Sequence, residues 1–209
     1  MRLVFLGPPG AGKGTQAAKL ANYLGVPKIS TGDILRRHVA EGTDLGKRAR
    51  DYMEAGGLVP DDLVIAMTEA RLKEHDARKG FILDGFPRTV AQGDALAALT
   101  PLDAVVTLFL EPEELIKRNS GRRVCPKCEA VYHVLSNAPK TAGVCDRCGT
   151  GLAIRPDDRE DVVRTRIETY DRQTAPLIQY YKDRKLLREV YAAGLIDEIS
   201  ARVREALKV

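Results

Sequence analysis

Tryptophan is absent from this 209-residue chain, and aromatic residues make up only 5 % of it. Proteins that bind single-stranded nucleic acid by base stacking need aromatic side chains, so this scarcity argues against that class. No apolar run approaches the ~20 residues of a membrane-spanning helix. The N-terminal run Leu3 to Leu6 is far shorter than the core of a signal peptide. We therefore expect a cytoplasmic protein without a membrane partner.

Neither sign of charge dominates, since 33 basic residues face 29 acidic ones and the formal net charge is +4. An excess this small does not by itself indicate a nucleic-acid partner. Among the basic residues, however, 21 are Arg and 12 are Lys. The guanidinium group suits phosphate recognition because it donates two parallel hydrogen bonds. A base-composition bias of the genome explains the total equally well, so the positions of individual arginines must decide.

Short apolar runs alternate with helical patterns along the chain. Buried strands are predicted at residues 2–6, 81–83, 104–110 and near 189–191. Continuous apolar runs that are rich in β-branched residues are typical of parallel strands buried on both faces. The alternation predicts an α/β fold, a doubly wound parallel sheet with helices on both sides.

Helical patterns fill most of the remaining sequence. One begins at Thr15 and ends before Gly25, and short helices are expected between residues 30 and 57. A long pattern from Val163 to Tyr181 contains Pro176, which should kink or break it. A last helix is predicted from about residue 197.

The strongest chemical signal is the loop Gly7-Pro-Pro-Gly-Ala-Gly-Lys-Gly-Thr15, which lies between a predicted strand and a predicted helix. It carries the G-x4-G-K core of a P-loop, in which backbone N–H groups and a lysine hold phosphates. The following helix N-terminus adds a favourable dipole. The loop departs from the general motif because Gly14 stands where Ser or Thr is usual and Thr15 comes one residue later. The Mg²⁺-binding hydroxyl is therefore displaced or replaced.

A second motif, Asp84-Gly-Phe-Pro-Arg-Thr89, follows the predicted strand at residues 81–83. Ligands of doubly wound sheets bind at the carboxyl ends of the strands, so Asp84 is expected beside the phosphate loop. A carboxylate there can hold Mg²⁺ directly or through water. Arg88 leaves a turn made rigid by proline and can donate two hydrogen bonds to a phosphate.

All four cysteines lie within residues 125–148, as Cys125-Pro-Lys-Cys128 and Cys145-Asp-Arg-Cys148. Two C-x2-C pairs sixteen residues apart are typical of a closed, structural zinc site. Disulfides and iron are the alternatives that this spacing leaves open. The segment around the cysteines, residues 122–158, also interrupts the alternation of strands and helices, and is expected to be an insertion with its own small fold.

Together with Ser-Thr-Gly-Asp at 30–33 and Gly-Arg-Arg at 121–123, the loop and the hexapeptide resemble the adenylate kinase family over essentially the whole chain. The resemblance implies a P-loop NTPase-type core with a five-stranded sheet, formed by residues 1–29, 60–121 and 159–209. It also implies a helical AMP-binding domain at residues 30–59 and a zinc-binding lid at residues 122–158, called the lid segment below.

The activity that this resemblance implies is reversible, Mg²⁺-dependent phosphoryl transfer from ATP to AMP, which yields two ADP. The family works as a cytoplasmic monomer in nucleotide biosynthesis and adenylate energy homeostasis. The implied ATP-binding residues are Gly10, Ala11, Gly12, Lys13, Gly14, Thr15, Arg118, Arg122, Val131, Tyr132 and Gly194. The implied AMP-binding residues are Thr31, Arg36, Gly57, Leu58, Val59, Gly85, Phe86, Pro87, Arg88, Gln92, Arg155 and Arg166. The implied catalytic residues are Lys13, Asp84, Arg88, Arg122, Arg155 and Arg166.

A site of this kind needs no histidine base. The charge of the transition state is spread over phosphate oxygens, and the accepting oxygen of AMP is already ionised near pH 7. We therefore expect no catalytic role for the three histidines, His38, His75 and His133. The site must instead exclude water, which predicts closure of the lid segment over the phosphates. Asp157 and Asp158 either anchor the closed lid or are a solvated helix N-terminus.

Two other functions stay open from the sequence. A related kinase could accept UMP, CMP or GMP, or use GTP as donor, although Thr31 and Gln92 favour adenine on the acceptor side because Gln92 offers both a donor and an acceptor. A zinc-ribbon module that binds nucleic acid would explain the cysteines and arginines. It would not explain the phosphate loop or the hexapeptide at residues 84–89.

Overall fold

The computed structural model describes all 209 residues. The strands are β1 (Arg2–Leu6), β2 (Lys28–Ser30), β3 (Phe81–Asp84), β4 (Ala104–Phe109), β5 (Arg122–Val124), β6 (Val131–His133) and β7 (Leu187–Tyr191). The α-helices are α1 (Lys13–Leu24), α2 (Thr31–Glu41), α3 (Asp44–Glu54), α4 (Asp61–Leu72), α5 (Val90–Leu99), α6 (Pro112–Ser120), α7 (Glu160–Thr169), α8 (Pro176–Asp183) and α9 (Ile196–Leu207). No helix is both long and apolar enough to cross a membrane.

Five parallel strands form the central sheet, in the order β2-β3-β1-β4-β7. Successive side chains of a strand point to opposite faces. Leu3 and Phe5 of β1 accordingly pack with α1 and α9, whereas Val4 and Leu6 pack in a second core with α4, α5 and α8. Both faces are covered, which confirms the predicted doubly wound α/β class.

The sheet differs from the residue patterns in one element. β2 has only three residues, Lys28–Ser30, and no strand was predicted there. So short a run has too few alternating positions to produce a periodicity signal. It forms because its backbone pairs with β3, with Ile29 opposite Leu83.

The lid segment has a separate architecture. β5 and β6 pair antiparallel in a sheet of two strands, apart from the central one. A small core of its own contains Cys125, Ala130, Tyr132 and Cys145. Residues 30–59 hold the helices α2 and α3 and the chain that returns to α4.

The helical pattern around Pro176 is interrupted, as predicted. α7 ends at Thr169, residues Tyr170–Thr174 form a π-helical turn, and α8 begins at Pro176. The N–H of Ala175 donates to the carbonyl of Tyr170, five residues back, at 2.8 Å. Because proline has no N–H to continue an α-helix, the extra residue of the π-turn is accommodated directly before it.

Candidate nucleotide site and cysteine cluster

The phosphate loop joins β1 to α1 at the carboxyl edge of the sheet. Gly12 has a left-handed backbone (φ 91°), and α1 starts at the next residue. The Lys13 ammonium reaches back over the loop and donates to the carbonyls of Gly7 at 2.6 Å and Pro8 at 2.9 Å. Unpaired N–H groups of the first helical turn and the cation thus face the same space, which suits an anion.

Lys13 is half-buried, and its removal from water lowers the pKa of its ammonium to about 7. The Asp84 carboxylate opposes this shift, while Arg88 and Arg166 add to it. These cations repel one another, and the nearby carboxylates do not compensate for the repulsion. Such an arrangement suits the binding of a highly charged anion.

Gly14, the departure from the general P-loop motif, lies against Asp84. A Cβ atom at Gly14 would be 3.2 Å from Asp84 Oδ2, closer than most side-chain contacts. Asp84 makes no side-chain hydrogen bond within the protein, so its oxygens remain free. A Ser or Thr at position 14 would crowd this carboxylate, which accounts for the glycine.

The turn after β3 carries Arg88. Its guanidinium Nε donates to the carbonyl of Gly85 at 2.8 Å, and the same carbonyl accepts from the Thr31 hydroxyl at 2.8 Å. The Phe86–Pro87 peptide bond is cis. The two Nη atoms of Arg88 make no hydrogen bond within the protein. Burial lowers the pKa of Arg88, with Asp84 opposing the shift.

Two arginines are held by the acidic pair Asp157 and Asp158. Two nitrogens of Arg122 donate to the carboxylate of Asp158, Nε to Oδ2 at 2.7 Å and Nη2 to Oδ1. Arg166 Nη1 donates to the carbonyl of Asp157 at 2.8 Å and lies 2.9 Å from its carboxylate. The side chain of Asp158 is fully buried. The interpretation of this pair as a solvated helix N-terminus is therefore wrong.

The lid segment touches residues 30–59 through ion pairs. Arg155 Nη2 lies 3.6 Å from Asp33 Oδ1, and Arg36 Nη1 lies 3.9 Å from Asp157 Oδ2. Asp33 also pairs with Arg36 and with Lys28 of β2. Burial alone would raise the pKa of Asp33, but Arg36 and Lys28 hold it far below its usual value. Asp33 is thus a shared carboxylate for three parts of the chain.

Burial also lowers the pKa of Arg155 and of Arg166, each to about 10. For Arg155 the nearby cations Arg36 and Arg122 add to the effect of burial, whereas for Arg166 the carboxylate of Asp157 opposes it. Arg122 differs, because Asp158 outweighs burial and raises its pKa. All these groups remain protonated at neutral pH.

Gln92 makes two hydrogen bonds that the sequence did not indicate. Its Oε1 accepts from the backbone N–H of Arg88 at 2.7 Å, and its Nε2 donates to Asp61 Oδ1 at 2.7 Å. Leu58 and Val59 lie between α3 and α4, with Val59 buried, and Gly57 N–H donates to the carbonyl of Tyr52 at 2.8 Å.

The residues expected on the ATP side, around its adenine and the closed lid, lie on separate elements. Arg118 lies on α6 and pairs with Glu114 at 3.4 Å, Val131 is exposed on β6, and Gly194 lies in the loop between β7 and α9. The side chain of Tyr132 is buried in the core of the lid segment. Its hydroxyl accepts from Asp146 N–H at 2.8 Å. Packing among the cysteines holds this side chain in the lid core, so a contact of Tyr132 with ATP stays a prediction for its backbone.

The four cysteines converge in the lid segment. Their sulfur atoms all lie within 4.8 Å of one another, with Cys125–Cys148 at 3.4 Å and Cys128–Cys145 at 3.5 Å. No disulfide joins them, so that alternative is wrong for this structure. A tetrahedral Zn²⁺ with bonds of ~2.3 Å separates its sulfurs by about 3.8 Å. The cluster therefore fits one metal ion.

The backbone supports the two halves of the cluster in the same way. The carbonyl of Cys125 accepts from Glu129 N–H at 3.0 Å, and that of Cys145 accepts from Gly149 N–H at 2.9 Å. The residue after each second cysteine has a positive φ, 58° at Glu129 and 71° at Gly149. Each C-x2-C turn thus presents two sulfurs in one direction.

A phosphate loop on a doubly wound sheet, faced by a half-buried group of cations, defines a P-loop phosphotransferase. The cations come from the core, from residues 30–59 and from the lid segment: Lys13, Arg36, Arg88, Arg122, Arg155 and Arg166. The family model of adenylate kinase matches residues 5–186. The chain belongs to the adenylate kinase family, whose members transfer a phosphoryl group to a phosphate acceptor.

Relatives of the same name align along the full chain. An adenylate kinase of Acidothermus cellulolyticus is 53 % identical over 213 residues, which is 100 % of this chain and 98 % of that protein. One of Streptomyces griseus is 50 % identical over 214 residues, with the same coverage. One of Methanocella arvoryzae is 48 % identical over 213 residues, 100 % of this chain and 99 % of that protein.

Proposed function

We propose that the protein catalyses ATP + AMP = 2 ADP, with the two nucleotides bound phosphate to phosphate in the cation group. The observation that carries this proposal is the convergence of six cations from three parts of the chain beside the phosphate loop. A site for one nucleotide would not need arginines from residues 30–59 and from the lid segment together. The products of the reaction serve nucleotide biosynthesis and the balance of adenylates in the cytoplasm.

On the donor side, the loop residues 10–15 hold the ATP phosphates through backbone N–H groups and Lys13. Arg122 contacts the same phosphates from the lid segment, and Arg118 lies against the adenine. Val131, the backbone of Tyr132 and the backbone of Gly194 complete this side. The acceptor side consists of Thr31, Arg36, residues 57–59, residues 85–88, Gln92, Arg155 and Arg166.

The residues around Asp84 fit Mg²⁺. A carboxylate without a hydrogen-bond partner lies at the edge of the phosphate loop, and Mg²⁺ prefers oxygen ligands, of which water molecules are usually several. Asp84 would hold the ion, directly or through water, and the ion supplies neutralisation of phosphate charge. Lys13 and the arginines do the remaining stabilisation.

The chemistry requires positioning and charge stabilisation only. Arg88, Arg155 and Arg166 hold the acceptor phosphate and the transferred group in line, while Lys13 and Arg122 hold the donor phosphates. We propose a cycle in which the domain at residues 30–59 and the lid segment move apart to admit nucleotides. They then close over the P-loop core, formed by residues 1–29, 60–121 and 159–209. Closure excludes the water that would otherwise hydrolyse ATP.

The cysteine cluster is proposed to hold structural Zn²⁺. Four thiolates fill every position of a tetrahedral ion and leave none for substrate. The ion stabilises the lid segment, whose apolar core is small. Removing it with a chelator should lower Tm more than it changes the rate of a molecule that is still folded. A protein without the four cysteines that proves equally stable would contradict this role, and metal analysis distinguishes zinc from iron.

The proposed reaction is tested by a coupled assay of ADP formation from ATP with AMP, UMP, CMP or GMP in turn, and from GTP with AMP. ATP with AMP should give the highest kcat/KM. Turnover only with another monophosphate would instead identify a related kinase. Size-exclusion chromatography of the same sample tests the monomer, and retention of RNA that weakens steeply with salt would favour a nucleic-acid module.

A further inference from the structure

Asp61 has no role in the proposed reaction, but its carboxylate contacts Gln92, the residue proposed to recognise the acceptor base. Asp61 is the first residue of α4, and its Oδ1 accepts from Gln92 Nε2 at 2.7 Å. Its Oδ2 accepts from the Thr89 hydroxyl at 2.8 Å. Gln92 is only 1 % exposed, and Asp61 is half-buried.

Two partners fix which way round the Gln92 amide points. Oε1 faces the N–H of Arg88, which can only donate, and Nε2 faces a carboxylate oxygen of Asp61, which accepts. Turning the amide over would set two donors against each other at Arg88. It would also set two acceptors against each other at Asp61, and Thr89 holds that carboxylate in place.

The fixed amide has one acceptor and one donor left, since an amide oxygen accepts twice and an amide NH₂ donates twice. The spare acceptor is on Oε1 and the spare donor is on Nε2. Adenine offers the complementary pair, a donor in its 6-amino group and an acceptor at N1. Hypoxanthine has the same size but offers an acceptor at O6 and a donor at N1, so both contacts are mismatched.

We propose that Asp61 is a specificity-determining positioning residue, which selects 6-amino over 6-oxo purine monophosphates by holding Gln92 in one orientation. This inference rests on the proposed position of Gln92 at the acceptor base. A site in which the amide could turn over would accept either pattern. Rejection by unpaired polar groups is effective because a buried donor or acceptor without a partner lowers affinity about tenfold or more.

The test compares kcat/KM for AMP and for IMP, with ATP as donor, in the wild type, Asp61→Asn and Asp62→Asn. An Asn at position 61 can accept from Nε2 or donate to Oε1, so it removes the mismatch of the turned amide at position 61 and leaves only the one at the Arg88 N–H. Asp62 is the next residue of the same helical turn, is exposed and makes no side-chain hydrogen bond or ion pair, so it controls for the lost charge. We expect the AMP-to-IMP ratio to fall about tenfold in Asp61→Asn only.

Equal losses for AMP and IMP in Asp61→Asn, with an unchanged ratio, would overturn the proposal, because a purely structural role acts on both substrates alike.

A measurement on the wild type avoids any dependence on the folding of the variant. Purine ribonucleotide, which lacks the 6-substituent, loses one contact without a mismatch, so the expected order is AMP, then purine ribonucleotide, then IMP. IMP turned over as well as purine ribonucleotide would contradict the fixed amide, whereas no turnover of AMP would instead contradict the proposed function.

Discussion

Each arginine of the site is held by an oxygen of the protein. Arg122 and Arg166 bond the pair Asp157 and Asp158, Arg88 bonds a backbone carbonyl, and Arg36 and Arg155 share Asp33. Groups fixed in advance need no reorganisation when charge develops on the phosphates, which is the main source of electrostatic catalysis. The carboxylates thus position the cations.

Arg88→Ala and Arg122→Ala should each lower kcat by about 100-fold or more, because each removes one preorganised cation from the transferred phosphate. Steady-state kinetics with ATP and AMP measure the loss, and circular dichroism checks that the variants fold. Arg78→Ala, an exposed arginine before β3, is the matched control. Near-normal turnover in both site variants would show that the assigned roles are wrong.

The lowered pKa of Lys13 makes nucleotide binding depend on protons. With a pKa of about 7, this lysine is mostly neutral at pH 8.5 in the nucleotide-free protein, and phosphates restore its charge. Binding of ATP should therefore take up about one proton at that pH. Titration calorimetry in buffers of different ionisation enthalpy measures the uptake, which should vanish in Lys13→Met.

The lowered pKa of Lys13 also makes the free energy of unfolding depend on pH. Between pH 7 and pH 10.5 the unfolded lysine binds a proton that the folded one does not. The free energy of unfolding of the nucleotide-free protein should therefore rise with pH in this range, by a contribution that Lys13→Met removes. If the wild type takes up no proton on binding ATP, the lowered pKa of Lys13 is wrong.

At the scale of elements, the π-helical turn connects α7 to the Arg88 turn. The hydroxyl of Thr174, the last residue of this turn, donates to the carbonyl of Arg88 at 2.8 Å. Arg166 lies on α7, the helix that directly precedes this turn. One irregular helix therefore carries Arg166 and also holds the backbone of Arg88.

Thr174→Val keeps the shape of this side chain and removes the hydrogen bond, so the Arg88 turn loses one support. We expect KM for AMP to rise about fivefold to tenfold, since a hydrogen bond of this kind contributes about 1 kcal/mol. KM for ATP should change little. Thr174→Ser keeps the hydroxyl and should behave as the wild type; an equal defect in both variants would point to packing instead.

The sequence predicted the elements that have strong local signals. The phosphate loop, the buried strands at residues 2–6, 81–83 and 104–110, and the interruption near Pro176 all follow from neighbouring residues. β2 was not found from residue patterns, because its pairing with β3 is made by residues far apart in the chain. The burial of Tyr132 was missed for a similar reason, since its neighbours Cys145 and Asp146 are more than ten positions away.

The pairing of charges across the site was equally invisible in the sequence. Asp33 belongs to a recognisable Ser-Thr-Gly-Asp motif, yet nothing local indicates that Arg155 lies 3.6 Å from it. Asp61 and Gln92 are likewise separated by 31 positions. The many arginines indicate only that carboxylates must lie near them in a partly buried site, and not which carboxylates these are.

For the whole molecule, the central claim is that two nucleotides share one enclosed cationic pocket. In this structure Arg155 and Arg36 already join the lid segment to residues 30–59 across the site. The deciding measurement is inhibition by an analogue in which a polyphosphate chain joins two adenosines. It should compete with ATP and also with AMP, and bind more tightly than either. Competition with only one of the two substrates would contradict the account.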